Sequence, residues 1–193
     1  MPNPLAFLAY ILVTAYTPGP NNILSMSNGS MYGFKKSFPF NVGILCGFFI
    51  VMTLCTLFSV ALYAVIPKIK MAMLILGAIY MLYLAWKIFR SSMHDTEKQK
   101  NRSTFLSGMM LQFVNPKIMV YGITSMSVYI LPYYNDLARV ILFGLLLSLV
   151  GFSATLCWSA FGTVFSRLMK NHAKVLNPIM AALLVYCAVS LFF

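Results

Sequence analysis

Long apolar runs dominate this chain, and proline interrupts two of them in mid-run: at Thr17-Pro18-Gly19-Pro20-Asn21-Asn22 and at Asn115-Pro116-Lys117. Proline lacks an N–H, and its ring clashes with the carbonyl four residues back, so each run must kink or break there. In hydrocarbon the freed carbonyls need another partner, and a lysine at that depth is costly. Such positions mark places where something is bound or moved.

The composition narrows the class. Of 193 residues, 61% are hydrophobic and 9% charged, whereas a soluble domain is typically about one quarter charged. The acids number three, Asp95, Glu97 and Asp136. A soluble surface cannot be built from that inventory, so the expected fold class is an all-α polytopic membrane protein. The runs lack the strict alternation of a transmembrane β-barrel. The net charge of +11 would suggest nucleic acid in a soluble protein. Here the basic residues gather between apolar runs, where topology and anionic lipid headgroups account for them, so no nucleic-acid partner is expected. Cys46, Cys55, Cys157 and Cys187 lie inside apolar runs without a CxxC and are read as small buried apolar groups. His94 and His172 lie in basic loops, so neither a metal site nor a cofactor is expected. No basic stretch precedes the first apolar run, and a cleaved signal peptide is not expected.

Six spans can be drawn, at about 4–31, 38–66, 69–89, 105–131, 137–165 and 175–193, with broken helices in the first and fourth. An unbroken helix over the first would reach about 42 Å, against a hydrocarbon core of about 30 Å. Ten Lys and Arg fall on the side of the first, third and fifth loops and three (Lys68, Lys70, Arg139) on the other. The first side is then cytoplasmic, and both termini lie outside the cytoplasm. The halves resemble each other. Phe7-Leu8 precedes Pro18 by the interval at which Phe105-Leu106 precedes Pro116, and Thr53-Leu54-Cys55 has its counterpart in Thr155-Leu156-Cys157. Three spans per half make the repeats inverted, the pattern of secondary transporters with a midplane site. A single transporter domain over 1–193 is expected, with repeats of about 1–90 and 105–193 and a cytoplasmic connector at 91–104.

The breaks carry the chemistry. Pro18, Pro20 and Pro116 free the carbonyls of Thr14, Tyr16 and Gln112. A half-helix starting near Asn21 presents bare N–H groups and a positive dipole end. Acceptors for an ammonium beside donors for a carboxylate suit a zwitterionic amino acid. Lys117 lies near the centre of its span with no intramembrane acid to pair with it; a freed carbonyl, an Asn side chain, water or a substrate carboxylate can serve. The candidate substrate-binding set is Thr14, Tyr16, Thr17, Pro18, Gly19, Pro20, Asn21, Asn22, Gln112, Asn115, Pro116 and Lys117, with Asn41 as a further polar group. The asparagines can equally hold helices together. Gly29, Gly33, Gly43 and Gly47 have the four-residue spacing of close helix contacts, and Tyr83, Trp86 and the 129–134 tyrosines read as interfacial anchors.

At these residues the chain resembles the LysE/RhtB family of amino-acid exporters. Thr17-Pro18-Gly19-Pro20-Asn21, Gly77-Ala78-Ile79-Tyr80 with Leu84-Ala85-Trp86-Lys87, and Phe113-Val114-Asn115-Pro116-Lys117 match the family's motifs in order. Asn21-Asn22-Ile23-Leu24, Leu111-Gln112-Phe113-Val114-Asn115 and Leu183-Leu184-Val185-Tyr186-Cys187-Ala188-Val189 are similar to its cysteine/O-acetylserine branch. The resemblance implies efflux of small amino acids or related metabolites across the bacterial inner membrane, driven by the proton gradient. The residues add that no intramembrane acid awaits a second ammonium, which favours a small neutral substrate over lysine. Export of homoserine, threonine or lysine, a membrane-embedded thiol oxidoreductase, a helper subunit and a channel are the alternatives. A homo-oligomer is left open.

Overall fold

In a computed structural model the described residues are 3–57, 75, 78–86, 88–90, 104–134, 136–166, 168 and 172–189, and among them there is helix and no strand. Residues 58–74, 76, 77 and 87, in and between the second and third spans, the connector except Thr104, and residues 190–193 lie outside them; residues 75, 78–86 and 88–90 are helical.

Helix α1, Pro4–Tyr16, is capped by Asn3, whose side chain accepts the Ala6 amide at 3.0 Å. Residues 17–19 are extended or bent, and α2, Pro20–Tyr32, restarts with proline in its first turn, where a missing N–H costs nothing. Gly33 ends α2 with φ +81°, the left-handed conformation glycine adopts freely. Helix α3, Phe34–Leu57, follows at once, so Lys35 and Lys36 sit in its first turn and the helix begins ahead of the expected 38. The fourth span divides into α4, Phe105–Val114, and α5, Pro116–Thr124, at an extended Asn115. A π-helical turn, Ser125–Ile130, continues α5. Helix α6, Leu137–Val164, is capped by the Asp136 carboxylate, and α7, Ala173–Val189, contains Pro178. Two helical stretches, 34–54 and α6, are long and apolar enough to cross a membrane; α1, α4 and 174–189 are shorter apolar helices.

The polarity is inverted relative to a water-soluble bundle. Helix α2 is rich in Asn and Ser, yet Asn21, Asn22, Ser25, Asn28 and Ser30 are buried, while Leu142, Leu145, Leu146, Leu149, Phe161 and Val164 of α6 are exposed. Beside the buried Val140 and Leu147, α6 carries a stripe of small buried residues recurring every three or four positions: Gly144, Ser148, Gly151, Thr155, Ser159 and Gly162. That stripe lets backbones touch. A Cβ on Gly29 would collide with the Ser159 carbonyl, and one on Gly162 with that of Met26. The same holds between α3 and α4, where Gly43 abuts the Phe105 carbonyl, Gly47 that of Met109 and Gly108 that of Phe40.

Three sequence expectations are corrected. Gly33 has nothing within 4 Å of a Cβ; it serves the turn into α3, not a helix contact. Of the 129–134 tyrosines Tyr133 is exposed, but Tyr129 stacks on Tyr10 at 5.8 Å and Tyr134 packs on Phe143 at 5.1 Å, so these two belong to the packing. Cys157 is exposed on the apolar face of α6, and no disulfide involves the described cysteines. Tyr83 and Trp86 are exposed, with the Arg90 guanidinium 4.4 Å above the Trp86 ring.

Candidate functional site

The two interruptions meet. Lys117 stands in the first turn of α5, and its ammonium crosses to the first break, where it donates to the Thr17 carbonyl at 2.8 Å and the Thr17 hydroxyl at 3.0 Å, with the Pro18 carbonyl at 3.5 Å. Gly19 makes room for it. Its φ of −174° is ordinary extended backbone. A Cβ there, however, would lie 2.9 Å from Lys117 Cδ and 3.0 Å from Nζ. Asn22 folds back over the same break, its Nδ2 donating to the Ala15 and Thr17 carbonyls at 2.8 Å each. The unwound turn is thus stitched from both sides, with the Thr17 oxygen shared between an amide and an ammonium.

Beneath this lies a closed amide network. Asn21 Nδ2 donates to Gln112 Oε1 at 2.8 Å, and Asn21 Oδ1 accepts from Gln112 Nε2 at 3.2 Å and Asn115 Nδ2 at 3.0 Å. Gln112 Nε2 also reaches the Gly108 carbonyl at 2.9 Å. The Asn115 oxygen caps α5 by accepting the Lys117 amide at 3.2 Å. All three side chains are buried, and each supplies what another lacks, so the network joins α2 to the α4–α5 break without an orphaned amide. The two half-helix starts therefore differ. The N-terminus of α5 is capped by its own asparagine, whereas Gly19 offers α2 no side-chain cap. The Asn21 and Asn22 amides at the start of α2 remain for an anion.

A cavity of about 20 Å³, room for one water, opens between these groups. Of the expected residues, Thr14, Gly19, Asn21, Asn22, Asn115 and Lys117 line it. Tyr16, Thr17, Pro18, Pro20, Gln112 and Pro116 do not; they shape or bond the lining. The freed carbonyls are not where the sequence placed them. That of Thr14 accepts the Thr17 hydroxyl at 2.9 Å, and that of Tyr16 accepts the Trp158 indole N–H at 3.1 Å, so both already have partners. The Tyr16 hydroxyl shares a hydrogen bond with Ser153 at 3.0 Å. The carbonyls facing the cation are those of Thr17 and Pro18. Asn41 belongs elsewhere, accepting from Ser25 at 2.7 Å.

Several lining residues carried no signal as a set. Phe48 comes from α3, Tyr121 from α5, and Gly151 and Thr155 from α6. Cys187 of α7 donates its thiol to the Pro18 carbonyl at 3.6 Å. Tyr121 alone was within reach of sequence reasoning, since it follows Lys117 by four residues on the same helix face. Among the described residues of the lining, Lys117 is the one cationic side chain and there is no carboxylate. Among the described residues no three His, Cys, Asp or Glu side chains come together.

Helical throughout its regular structure among the described residues, with apolar helices long enough to cross a membrane and polar side chains turned inward, the chain has the build of a helical membrane protein. The family model described as LysE type translocator matches residues 12–193. The chain is 40% identical over 188 residues, 97% of its length and 96% of theirs, to proteins named cysteine/O-acetylserine efflux protein in Escherichia coli (strain K12) and Shigella sonnei (strain Ss046). No solved structure matches it. The chain belongs to the LysE family of translocators, as its motifs had suggested.

Proposed function

We propose that this protein is a secondary carrier that exports small neutral amino acids, cysteine and O-acetylserine foremost, from the cytoplasm across the bacterial inner membrane. The observation that carries the reading is the Lys117 ammonium held on Thr17 between the two interruptions. The names of the relatives supply the substrates. Among the described residues the lining holds no carboxylate, which argues against a dibasic substrate.

The reading uses the site as a partner exchange. A substrate carboxylate draws the Lys117 ammonium off Thr17 and takes the Asn21 and Asn22 amides. The vacated Thr17 carbonyl then accepts the substrate ammonium, in place of the Thr14 and Tyr16 carbonyls, which are engaged. Breaking the Lys117–Thr17 link loosens α5 from the α1–α2 break, so binding and a change of access become one event. The reading further takes the chain as one domain of six spans in two inverted repeats joined by a cytoplasmic connector, with both termini outside. The ten-to-three bias of basic residues and the presence in each half of a proline that opens a half-helix, Pro20 and Pro116, support this. Efflux is coupled to an inward proton gradient.

Purified protein in liposomes tests the reading. Labelled cysteine and O-acetylserine should show saturable counterflow, faster than threonine or lysine, and an inward proton gradient should drive efflux. Absence of counterflow with every amino acid would overturn it. Gly19→Ala tests the geometry: the variant folds, because its backbone is ordinary, yet a methyl group displaces the Lys117 ammonium. Counterflow should fall about tenfold, the loss of roughly one hydrogen bond's worth of binding, with unfolding temperature nearly unchanged. Parental flux would show that the ammonium need not sit on Thr17.

A further inference from the structure

Tyr121 is buried to 2% exposure, and its hydroxyl has no hydrogen-bond partner. Its ring lines the same cavity as Lys117, Asn21 and Asn115. It follows Lys117 by four residues, so it sits on the same face of α5, about 6 Å further along the axis. The ring cannot turn away, because it stacks on Tyr10 at 6.1 Å and meets the Phe48 ring edge-on at 5.6 Å. Phe48 is itself seated in the space over Gly151, where a Cβ would lie 2.7 Å from its ring. One turn beyond, Ser125 carries a second buried hydroxyl without a partner.

A phenylalanine would make the same ring contacts without burying an unpaired hydroxyl. The oxygen therefore contributes nothing to this packed state, and it can both donate and accept. We infer that Tyr121 is the group that reads the substrate side chain, selecting small amino acids with a hydrogen-bonding β-substituent (a thiol, a hydroxyl or an ester oxygen) over apolar ones of equal size. With the α-carboxylate on Lys117 and the α2 amides, the side chain of a small amino acid extends one helical turn along α5, toward Tyr121. Its ring and Phe48 shut out larger side chains, and its hydroxyl bonds the polar atom. A site that offers a buried hydroxyl leaves it unpaired when a methyl group arrives, and this is how such sites discriminate. The inference rests on the export reading and adds the basis of its selectivity.

The test compares cysteine with 2-aminobutyrate, which has a methyl group in place of the thiol, in counterflow with the parent and Tyr121→Phe proteins under reducing conditions. The parent should favour cysteine about tenfold in kcat/KM, as one neutral hydrogen bond provides. Tyr121→Phe should bring the ratio to within about twofold of unity by lowering the cysteine value, while 2-aminobutyrate is carried as before and unfolding temperature is equal or higher. A variant that keeps the parental ratio overturns the inference, and so does a parent that carries the two alike. Should the variant fail to fold, competition on the parent decides: serine must outcompete alanine for labelled O-acetylserine, and equal competition refutes the assignment. A parent that moves no amino acid at all strikes the export reading as well, which separates the two failures.

Discussion

Lys117→Ala protein should show no counterflow above background, at least about 100-fold below the parent, while remaining folded. The ammonium makes two short bonds to Thr17 and approaches Pro18, and hydrogen bonds to a charged group are worth about 1.5–3 kcal/mol each. A hundredfold loss corresponds to about 2.7 kcal/mol, within the reach of one such bond made to a substrate carboxylate. The fold should survive because other groups hold the break. Asn22 still bonds the Thr17 carbonyl, Cys187 still reaches Pro18, and the Asn21–Gln112–Asn115 network does not include the lysine side chain. Lys117→Met separates charge from packing, since it keeps most of the apolar stem; it should fail as completely as alanine. Lys117→Arg keeps the charge but must fit a planar fork over Gly19, where the lysine already has little clearance, and should retain partial flux. Parental rates in the Ala or Met protein would remove the central role given to this side chain.

The site was legible where local chemistry forced it. Proline disfavours a continuous helix, and Pro18, Pro20 and Pro116 pointed to the helix ends at Tyr16 and Val114 and the restarts at Pro20 and Pro116, although Pro39 and Pro178 sit inside α3 and α7. Lys117, Asn21 and Asn115 stood out because polar groups in apolar runs need partners. Which partner each found was not legible. Trp158 caps the Tyr16 carbonyl from a residue 142 positions away, and that pairing depends on how α6 lies against the break. Phe48 and Gly151 entered the cavity for the same reason. The four-residue glycine spacing pointed correctly to Gly29, Gly43 and Gly47 but misassigned Gly33, since spacing does not distinguish a helix contact from a turn that needs positive φ. The 129–134 tyrosines resemble membrane anchors in sequence, which does not tell the exposed Tyr133 from Tyr129, stacked on Tyr10 out of the π-helical turn.

Gly108→Ala should destabilise the fold and the site together. Gly108 of α4 and Gly43 of α3 face each other's helices, each with a backbone carbonyl where its Cβ would be: Phe40 for Gly108 and Phe105 for Gly43. A backbone carbonyl cannot swing aside as a side chain can, so α3 and α4 must separate along their contact. Overpacking of this kind costs about 1–3 kcal/mol, or about 3–10 °C in unfolding temperature for a chain of this size. The effect should not stop at stability. The Gly108 carbonyl accepts from Gln112, one turn away, and Gln112 holds Asn21 in the network beneath the cavity. Moving α4 outward therefore pulls the amide network off α2, and counterflow should fall in the protein that remains folded. Gly144→Ala supplies the comparison. It lies on the buried stripe of α6, but a Cβ there meets side-chain atoms at 3.6 and 3.7 Å, ordinary contact distances, and should leave both unfolding temperature and flux near the parent's. If the two alanine proteins melt alike, backbone-to-backbone contact is not what joins α3 to α4. If Gly108→Ala melts early but its folded fraction carries cysteine at the parental rate, the Gln112–Asn21 link does not transmit that contact to the site.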